Sequence, residues 1–355
     1  MISSSELLFK ISELQSKGDK YYAAGLFSSQ RFHLYFPFER EDQNIFFTAS
    51  IVFILHNLRE KLSQKDQILV DEIWRKAVAN YPDYKNKDGL DTYNFWRTDG
   101  SPHFPNGNIL SYVNKVRIPD DADDTSLIYL TSNPSREKIL WLKEKLSQHA
   151  NLSKKQITNT FPEYKSLKAY STFFGKNMFI EFDVCVLCNI LHFVFQNKLE
   201  LNQHDYDSIS FIRSVIEKKQ YLEKPFYASH SYPSAQVILY HVARLLEKYD
   251  VPGLTDIKPK VIADLNLFIE NGSDKMNRVI LSTSLMRLGV KNNKIEIENP
   301  EQQATQLWSF FHAGLLTAFE NRVTYNFAGN SIFHLKYKCE AHRLALILEN
   351  IVYHK

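Results

Sequence analysis

The chain has 355 residues and a formal net charge of +3; 44% of its residues are hydrophobic and 14% are aromatic. Because the charges nearly balance and no basic stripe or arginine-rich run is present, electrostatics gives no reason to expect a nucleic-acid partner. Three cysteines are an odd number for a disulfide framework and fit a reducing compartment. We therefore expect a cytoplasmic protein with a large apolar core.

The most apolar stretches, 45–55 and 178–195, are expected to be buried helices rather than transmembrane segments. The first is too short to span a bilayer, and the second contains Glu181, Asp183 and Asn189. The first residues of the chain lack a basic region followed by an apolar one, so we expect no secretory signal.

After an N-terminal extension over residues 1–44, helical periodicity dominates, and the helices come in pairs. The first helix of each pair is apolar nearly all round, as in a helix buried on every side, whereas the second has one charged face. The predicted helices are 47–61, 67–81, 124–131, 136–150, 183–195, 207–219, 234–248, 260–270, 277–288, 302–319 and 339–352.

Successive apolar helices lie roughly 45 to 75 residues apart, which indicates a repeated helical hairpin. The last helix is as apolar as the middle ones, although an open stack needs polar terminal caps. We therefore predict an all-α fold: an α/α toroid, a closed ring of about six hairpins with inner and outer helices. Because no Gly/Ser-rich linker divides residues 1–355, we expect a single domain.

A long loop over residues 82–119 interrupts the helices. Loops of this length in a compact domain are usually functional or disordered. This one is rich in aromatic residues, so we expect it to be ordered: Tyr93, Phe95, Trp96 and Phe104. Its polar members, Asn94, Arg97 and Asp99, are consistent with a loop packed on the rim or with a lid in which Arg97 binds an anion.

Four aspartates follow this loop, in the segment RIPDDADDTS: Asp120, Asp121, Asp123 and Asp124. Pro119 disfavours helix at the preceding residue, so the aspartates should form the N-cap and first turn of an inner helix. Capping explains one or two of them, since first-turn carboxylates oppose the helix dipole. The surplus indicates either a carboxyl whose pKa is raised until it acts as a general acid, or a site for a divalent metal and a diphosphate.

The segment Asp121–Ser126 resembles the D-x-D-D-T-[AS] motif of class II terpene cyclases, such as squalene–hopene cyclases. That motif also opens an inner helix of an α/α toroid in the terpene cyclase and prenyltransferase superfamily. The resemblance implies that Asp123 protonates a double bond or epoxide of an isoprenoid, while Asp121 and Asp124 tune and orient it. It also implies an aromatic cavity that stabilises carbocations, for which the chain supplies Tyr93, Phe95, Trp96, Tyr227, Tyr232 and Tyr240.

Two metal hypotheses stand beside this one, although we expect neither a metal nor another cofactor. Asp120, Asp121 and Asp124 also fit D-D-x-x-D, the magnesium motif of class I prenyl-diphosphate enzymes. Cys185 and Cys188, together with Cys339 and His342, have the spacing of a zinc site, but cysteines inside apolar helices are more commonly buried hydrophobes.

Further candidate residues lie at the starts of other inner helices. Asp183 occupies the same place in the next hairpin as Asp123, and Tyr227, His230 and Tyr232 precede the helix at 234–248. His230 is a candidate proton partner. We expect these side chains, with Tyr93, Asn94, Trp96 and Arg97, to bind the substrate.

Three functions therefore remain open. The first is a terpene-cyclase-like enzyme with Asp123 as general acid, and the second is a carbohydrate-active toroid enzyme with paired carboxylates. The third is a non-catalytic relative that binds a lipid or protein, since the chain is long enough for only one toroid. We expect a small apolar ligand, which leaves peripheral contact with a membrane open. P-loop, Rossmann, G-x-S-x-G and H-E-x-x-H motifs are absent from the sequence.

Overall fold

The computed structural model describes residues 2–99, 119–175, 178–291 and 308–354, and within them the chain is mostly helical. The expected loop at 82–119 is described only in part, and Phe104 lies outside the described residues. The helices are α1 (Ser4–Glu13), α2 (Phe46–Leu58), α3 (Gln64–Val78), α4 (Ala122–Thr131), α5 (Arg136–Gln148), α6 (Val184–Gln196), α7 (Gln203–Glu217), α8 (Gln220–Glu223), α9 (Pro225–Ala228), α10 (Ala235–Lys248), α11 (Lys258–Glu270), α12 (Lys275–Arg287), α13 (Arg322–Ala328) and α14 (Glu340–Tyr353).

Six of these helices form the core: α2, α4, α6, α10, α12 and α14. Almost every residue of α2, α4 and α6 is buried, including polar ones. Each core helix packs against the next one along the chain, and α14 packs against α2. The more amphipathic helices α3, α7 and α11 pack on the outside of α2, α6 and α10, respectively. The predicted alternation of buried and half-exposed helices is thus confirmed for the pairs α2–α3, α6–α7 and α10–α11.

Local sequence signals explain where the helices begin. The side chains of Ser63 and Ser135 cap α3 and α5, and Asn202 forms a capping box with Asp205 at the start of α7. Each cap satisfies backbone N–H groups that have no partner within the helix. For these three helices, the predicted first residue therefore lies within four residues of the observed one.

A four-stranded antiparallel sheet is the main departure from an all-α fold. Its strands are β1 (Gln30–Phe32), β2 (Glu39–Glu41), β3 (Phe311–Gly314) and β4 (His334–Lys338), in the order β2-β1-β4-β3. Gln30 pairs with Lys338, and Phe311 pairs with Tyr337. The sheet therefore joins the N-terminal segment to the segment that precedes α14.

The helix predicted over 302–319 is wrong in its described part, because β3 occupies residues 311–314. The run WSFFHAGLLTAF is apolar throughout, and periodicity cannot separate a short buried strand from a buried helix. Gly314 is the local signal for close packing: a Cβ there would lie 2.8 Å from Thr317 Cγ2 and 3.3 Å from the Phe226 ring.

A buried ion pair holds the sheet to the loop that leads into the aspartates. Arg31 on β1 contacts Asp42 at 2.6 Å, and both side chains are almost fully buried. Asp42 also accepts hydrogen bonds from Trp96 Nε1 (2.9 Å) and Asn44 Nδ2 (3.0 Å). This network fixes the indole of Trp96 within the protein.

Removing one partner of this pair should be costly. The Asp42→Ala variant removes the buried carboxylate that pairs with Arg31, and we expect the free energy of unfolding to fall by about 3–5 kcal/mol. Denaturant titration of the purified variant measures this change. Asp71→Ala, which breaks the exposed pair with Arg59 (2.7 Å), is the matched control and should lose less than about 1 kcal/mol. Equal losses in the two variants would contradict the structural role of the buried pair.

Candidate active site

A cavity of about 110 Å³ lies where the N-terminal ends of α2, α4 and α6 meet β3. Its walls are largely aromatic and aliphatic. The apolar side chains that line it include Phe46, Phe95, Phe173, Met178, Phe179, Val186, Phe311 and Leu315. Four carboxyl groups and two imidazoles share these walls: Asp121, Asp123, Asp124, Glu181, His230 and His312.

Asp121 and Asp124 form a hydrogen-bonded pair of carboxyl groups in the first turn of α4. Asp121 is the N-cap, and its Oδ1 accepts the backbone N–H of Asp124 at 2.8 Å. The two side chains are also hydrogen-bonded to each other. Burial and the nearby Asp123 charge raise the pKa of Asp121 to about 8, and burial beside Asp121 raises the pKa of Asp124 well above its usual value. The pair therefore holds protons near neutral pH.

Asp123 is in a different environment, although it is equally buried. Its Oδ1 accepts a hydrogen bond from Asn189 Nδ2 at 2.6 Å, and its Oδ2 accepts one from the Tyr232 hydroxyl. The Arg244 guanidinium donates to Asn189 Oδ1 from the other side. Burial raises the pKa of Asp123, whereas the two donors and the Arg244 charge oppose that rise. Because both oxygens already accept hydrogen bonds, the contacts of Asp123 favour its ionised form.

The other two aspartates of interest are bound to backbone and side-chain donors. Asp183 caps α6, and it accepts hydrogen bonds from Ser229 Oγ at 2.5 Å and the Ser231 N–H at 2.9 Å. Burial raises its pKa to about 6. Asp120 accepts from Asn86 (2.5 Å) and Thr92 (2.6 Å) and does not line the cavity. The three residues of the D-D-x-x-D pattern therefore do not face one common space.

Glu181 and His230 form a second polar group in the cavity wall. Glu181 Oε2 lies 3.4 Å from His230 Nδ1, and both side chains are buried. His230 Nε2 lies 3.0 Å from Tyr325 Oη, whose hydroxyl donates to the Asn159 carbonyl (3.2 Å); in the tautomer protonated at Nε2, His230 donates to Tyr325 and Nδ1 keeps its lone pair. Burial raises the pKa of Glu181 well above its usual value and lowers the pKa of His230 to about 3. His230 is therefore neutral near pH 7.

Several buried polar atoms in this wall have no hydrogen-bond partner within the described residues: Asp124 Oδ1, His230 Nδ1, His312 Nδ1 and Tyr337 Oη. Leaving a buried polar atom unpaired costs about 1–3 kcal/mol. Buried atoms of this kind can be satisfied by an ordered water, an ion, a ligand or a catalytic role.

The remaining predicted residues lie around the site rather than in the cavity wall. Tyr93 bonds through its backbone to Asp121 N (3.1 Å) and Thr125 Oγ1 (3.0 Å). The Asn94 side chain accepts from Trp96 N, and Arg97 pairs with Asp83 and Asp99. Tyr227 donates to the carbonyls of Tyr325 and Asn326 and packs on Gly329. Tyr232 contacts the site by donating its hydroxyl hydrogen bond to Asp123. Phe95, the residue before Trp96, does line the cavity, and its ring centroid lies 5.3 Å from that of the stacked Phe311 ring.

Sequence reasoning missed Glu181 and His312 as members of the site. Glu181 is a charged residue in an otherwise apolar stretch, two positions before the Asp183 cap, and this signal could have identified it. His312 offered no such signal, since its place in the cavity depends on β3, a strand predicted as helix.

Two further properties of the described residues bear on ligands and membranes. No helix among them is long and apolar enough to cross a bilayer. The part of the chain that the structure describes contains no group of three or more His, Cys, Asp or Glu side chains arranged to hold a metal ion. Cys185, Cys188 and Cys339 are buried free thiols.

Comparison with known proteins gives no independent assignment. No model of a known protein family matches the chain, and no curated protein matches it at a significant level.

Proposed function

We propose that the six buried helices are the inner ring of a closed α/α toroid and that the cavity at their N-terminal ends protonates a short, unsaturated isoprenoid-like molecule. The packing of α14 on α2 supports a closed ring. The observation that carries the function is the buried, hydrogen-bonded carboxyl pair Asp121–Asp124, whose pKa values are raised, in the wall of a cavity lined largely by aromatic and aliphatic side chains.

The proton comes from Asp124 in this proposal. Burial raises the pKa of Asp121 to about 8 and that of Asp124 well above its usual value, so in this proposal the pair carries two protons, one of which occupies the hydrogen bond between the two carboxyls. In this proposal the second sits on Asp124 Oδ1, a buried oxygen without a hydrogen-bond partner within the described residues. A neutral carboxylic acid in an apolar cavity is a strong general acid, because ionisation is unfavourable there until a cation forms beside it.

Asp123 has a supporting role. Its negative charge is held by Tyr232 and Asn189, and it raises the proton affinity of the neighbouring pair. Once the proton moves to a carbon of the double bond, the same charge attracts the carbocation. The faces of Phe46, Phe95 and Phe311 add cation–π stabilisation around it.

His230 completes the reaction as a base. The carbocation loses a proton from an adjacent carbon to form a new double bond, and neutral His230 offers the Nδ1 lone pair in the same wall. One proton enters from Asp124 and one leaves to His230, so the substrate is isomerised or cyclised with no net change in composition.

The test uses short acyclic isoprenols and their terminal epoxides, incubated with the purified protein in deuterium oxide. We expect a product that carries one solvent-derived deuterium at the protonated carbon, detected by gas chromatography and mass spectrometry. Tight binding of these compounds without turnover would instead assign a non-catalytic binding role. If they neither bind nor react, the proposal is wrong.

A further inference from the structure

A second pocket of about 620 Å³ lies at the opposite end of the buried helices from the candidate active site. Its lining comes from the C-terminal ends of α2, α6, α10, α12 and α14, together with α3. We call it the basic pocket, and its basic side chains are His56, Arg59, Lys61, His192, Arg244, Lys248 and Arg287. α10 has 14 residues and is roughly 20 Å long, and the two pockets lie toward its opposite ends.

Two of the cations in the basic pocket are neutralised within the protein. Arg59 forms a two-point contact with Asp71, at 2.7 Å for each hydrogen bond. Arg287 is paired with Glu247 and with buried Glu349. These pairs satisfy the hydrogen-bonding geometry of the guanidinium groups and leave little of their charge for a ligand.

The other three cations, Lys61, Arg244 and Lys248, have no ion pair among the described residues. The Lys248 ammonium donates to Asn57 Oδ1 at 2.6 Å, and that of Lys61 lies 3.5 Å from the centre of the Tyr353 ring. Glu60 is the remaining carboxylate in the lining. The described lining therefore presents three cations without an ion pair against one carboxylate without one.

The three cations of the basic pocket differ in depth, so we expect the rim cations to attract a ligand and the deeper one to bind it. Lys61 and Lys248 are exposed at the rim, whereas Arg244 is only 6% exposed and lies one turn deeper along α10. A helix C-terminus attracts a cation in its last turn, which accounts for Lys248 but not for Arg244. Arg244 also donates to Asn189, which holds Asp123, so it has contacts in both sites.

A buried donor or acceptor without a partner points into the same space. His192 lines the basic pocket, is 2% exposed, and its Nε2 has no hydrogen-bond partner in the described structure. Burial lowers the pKa of Lys248, and the charges of Arg287 and Arg244 lower it further against the opposing charge of Glu247. A bound anion would supply the missing partner for His192 and relieve the repulsion among these cations.

We infer that the basic pocket binds a phosphate-bearing anion, as a ligand distinct from the apolar substrate. Two rim ammonium groups and a deeper guanidinium match the several oxygens of a phosphate or diphosphate group better than a single carboxylate. The pocket is also larger than a lone phosphate requires. This inference rests on the basic pocket alone and does not depend on the proposed reaction.

The experiment is isothermal titration of the full-length protein with inorganic phosphate and, separately, inorganic diphosphate. We expect diphosphate to bind, and the Lys61→Ala/Lys248→Ala double variant to bind it at least ten-fold more weakly at low ionic strength. Lys65→Ala, an exposed lysine on α3 outside the pocket, is the matched control and should bind like the parent protein. Tighter binding of phosphate than of diphosphate, with the same loss in the double variant, supports a single phosphate group as the ligand.

Two results would overturn the inference. One is the absence of binding for both anions. The other is unchanged binding in the double variant, which would place the anion elsewhere on the protein. Because both lysines are exposed, loss of the fold should not obscure the result, and a thermal unfolding curve of each variant checks this.

Discussion

Replacing Asp124 with asparagine is expected to slow substrate conversion by about 10²–10⁴-fold, the usual contribution of a general acid. Asparagine keeps the size of the side chain but has no acidic proton to donate. In deuterium oxide, the variant should also lose the solvent-derived deuterium in the product. Initial rates and product mass spectra measure both effects.

Two matched variants make this result specific. Asp123→Asn removes the negative charge beside the pair, so we expect slower turnover, with deuterium still incorporated. Asp120→Asn changes an aspartate that is bound to Asn86 and Thr92 outside the cavity wall, and it should behave like the parent protein. Complete loss of deuterium incorporation in Asp123→Asn, with normal incorporation in Asp124→Asn, would assign the acid to Asp123, as the sequence motif implies.

The second large effect is on stability as a function of pH. A carboxyl whose pKa is raised by folding holds a proton that the unfolded chain releases. The free energy of unfolding therefore falls as the pH rises from the unfolded pKa near 4 to the folded pKa, about 8 for Asp121. Below this window the pair contributes no further change, and above it Asp121 contributes none.

Asp124→Asn should remove much of this pH dependence, because asparagine stays neutral at every pH. We expect the variant to be more stable than the parent protein at pH 8 by a few kcal/mol, since each unit of pKa difference corresponds to about 1.4 kcal/mol. Near pH 4, the two proteins should be equally stable. Denaturant titrations across this range provide the measurement.

The control for this effect is Asp71→Asn. Its partner Arg59 lowers the pKa of Asp71, so removal of that carboxylate should give no stabilisation at pH 8. If Asp124→Asn were less stable than the parent protein at pH 8, the pair would be ionised in the folded state, and its role as an acid would be excluded.

Much of the helical framework could be predicted from the sequence, because burial leaves a direct pattern in it. Helices such as α6 and α10 are apolar on nearly every side. Capping residues such as Asp121 and Asp183 mark where the core helices begin. The sheet could not be predicted in the same way. Strand β3 is four residues long, and its partner β4 is about twenty residues away in sequence.

The candidate site was predicted in its location but only partly in its membership. The aspartates on α4 were identifiable because four carboxylates exceed what a helix cap requires. Their different protonation depends on contacts that the sequence alone does not show. Asn189 on α6 and Tyr232 before α10 donate to Asp123, whereas Asp121 and Asp124 are hydrogen-bonded to each other. Trp96 and Arg97 were predicted to bind the substrate. In the structure the Trp96 indole donates to Asp42, and Arg97 pairs with Asp83 and Asp99.

The most direct test of the central claim is the protonation state of the Asp121–Asp124 pair at pH 7. An infrared difference spectrum between the parent protein and Asp124→Asn reports it, because the C=O stretch of a protonated carboxyl is separate from the carboxylate bands. We predict that the parent protein has a protonated-carboxyl contribution from Asp124 that is missing in Asp124→Asn and retained in Asp123→Asn. Loss of a carboxylate band alone in Asp124→Asn would contradict the claim that this cavity holds a neutral acid.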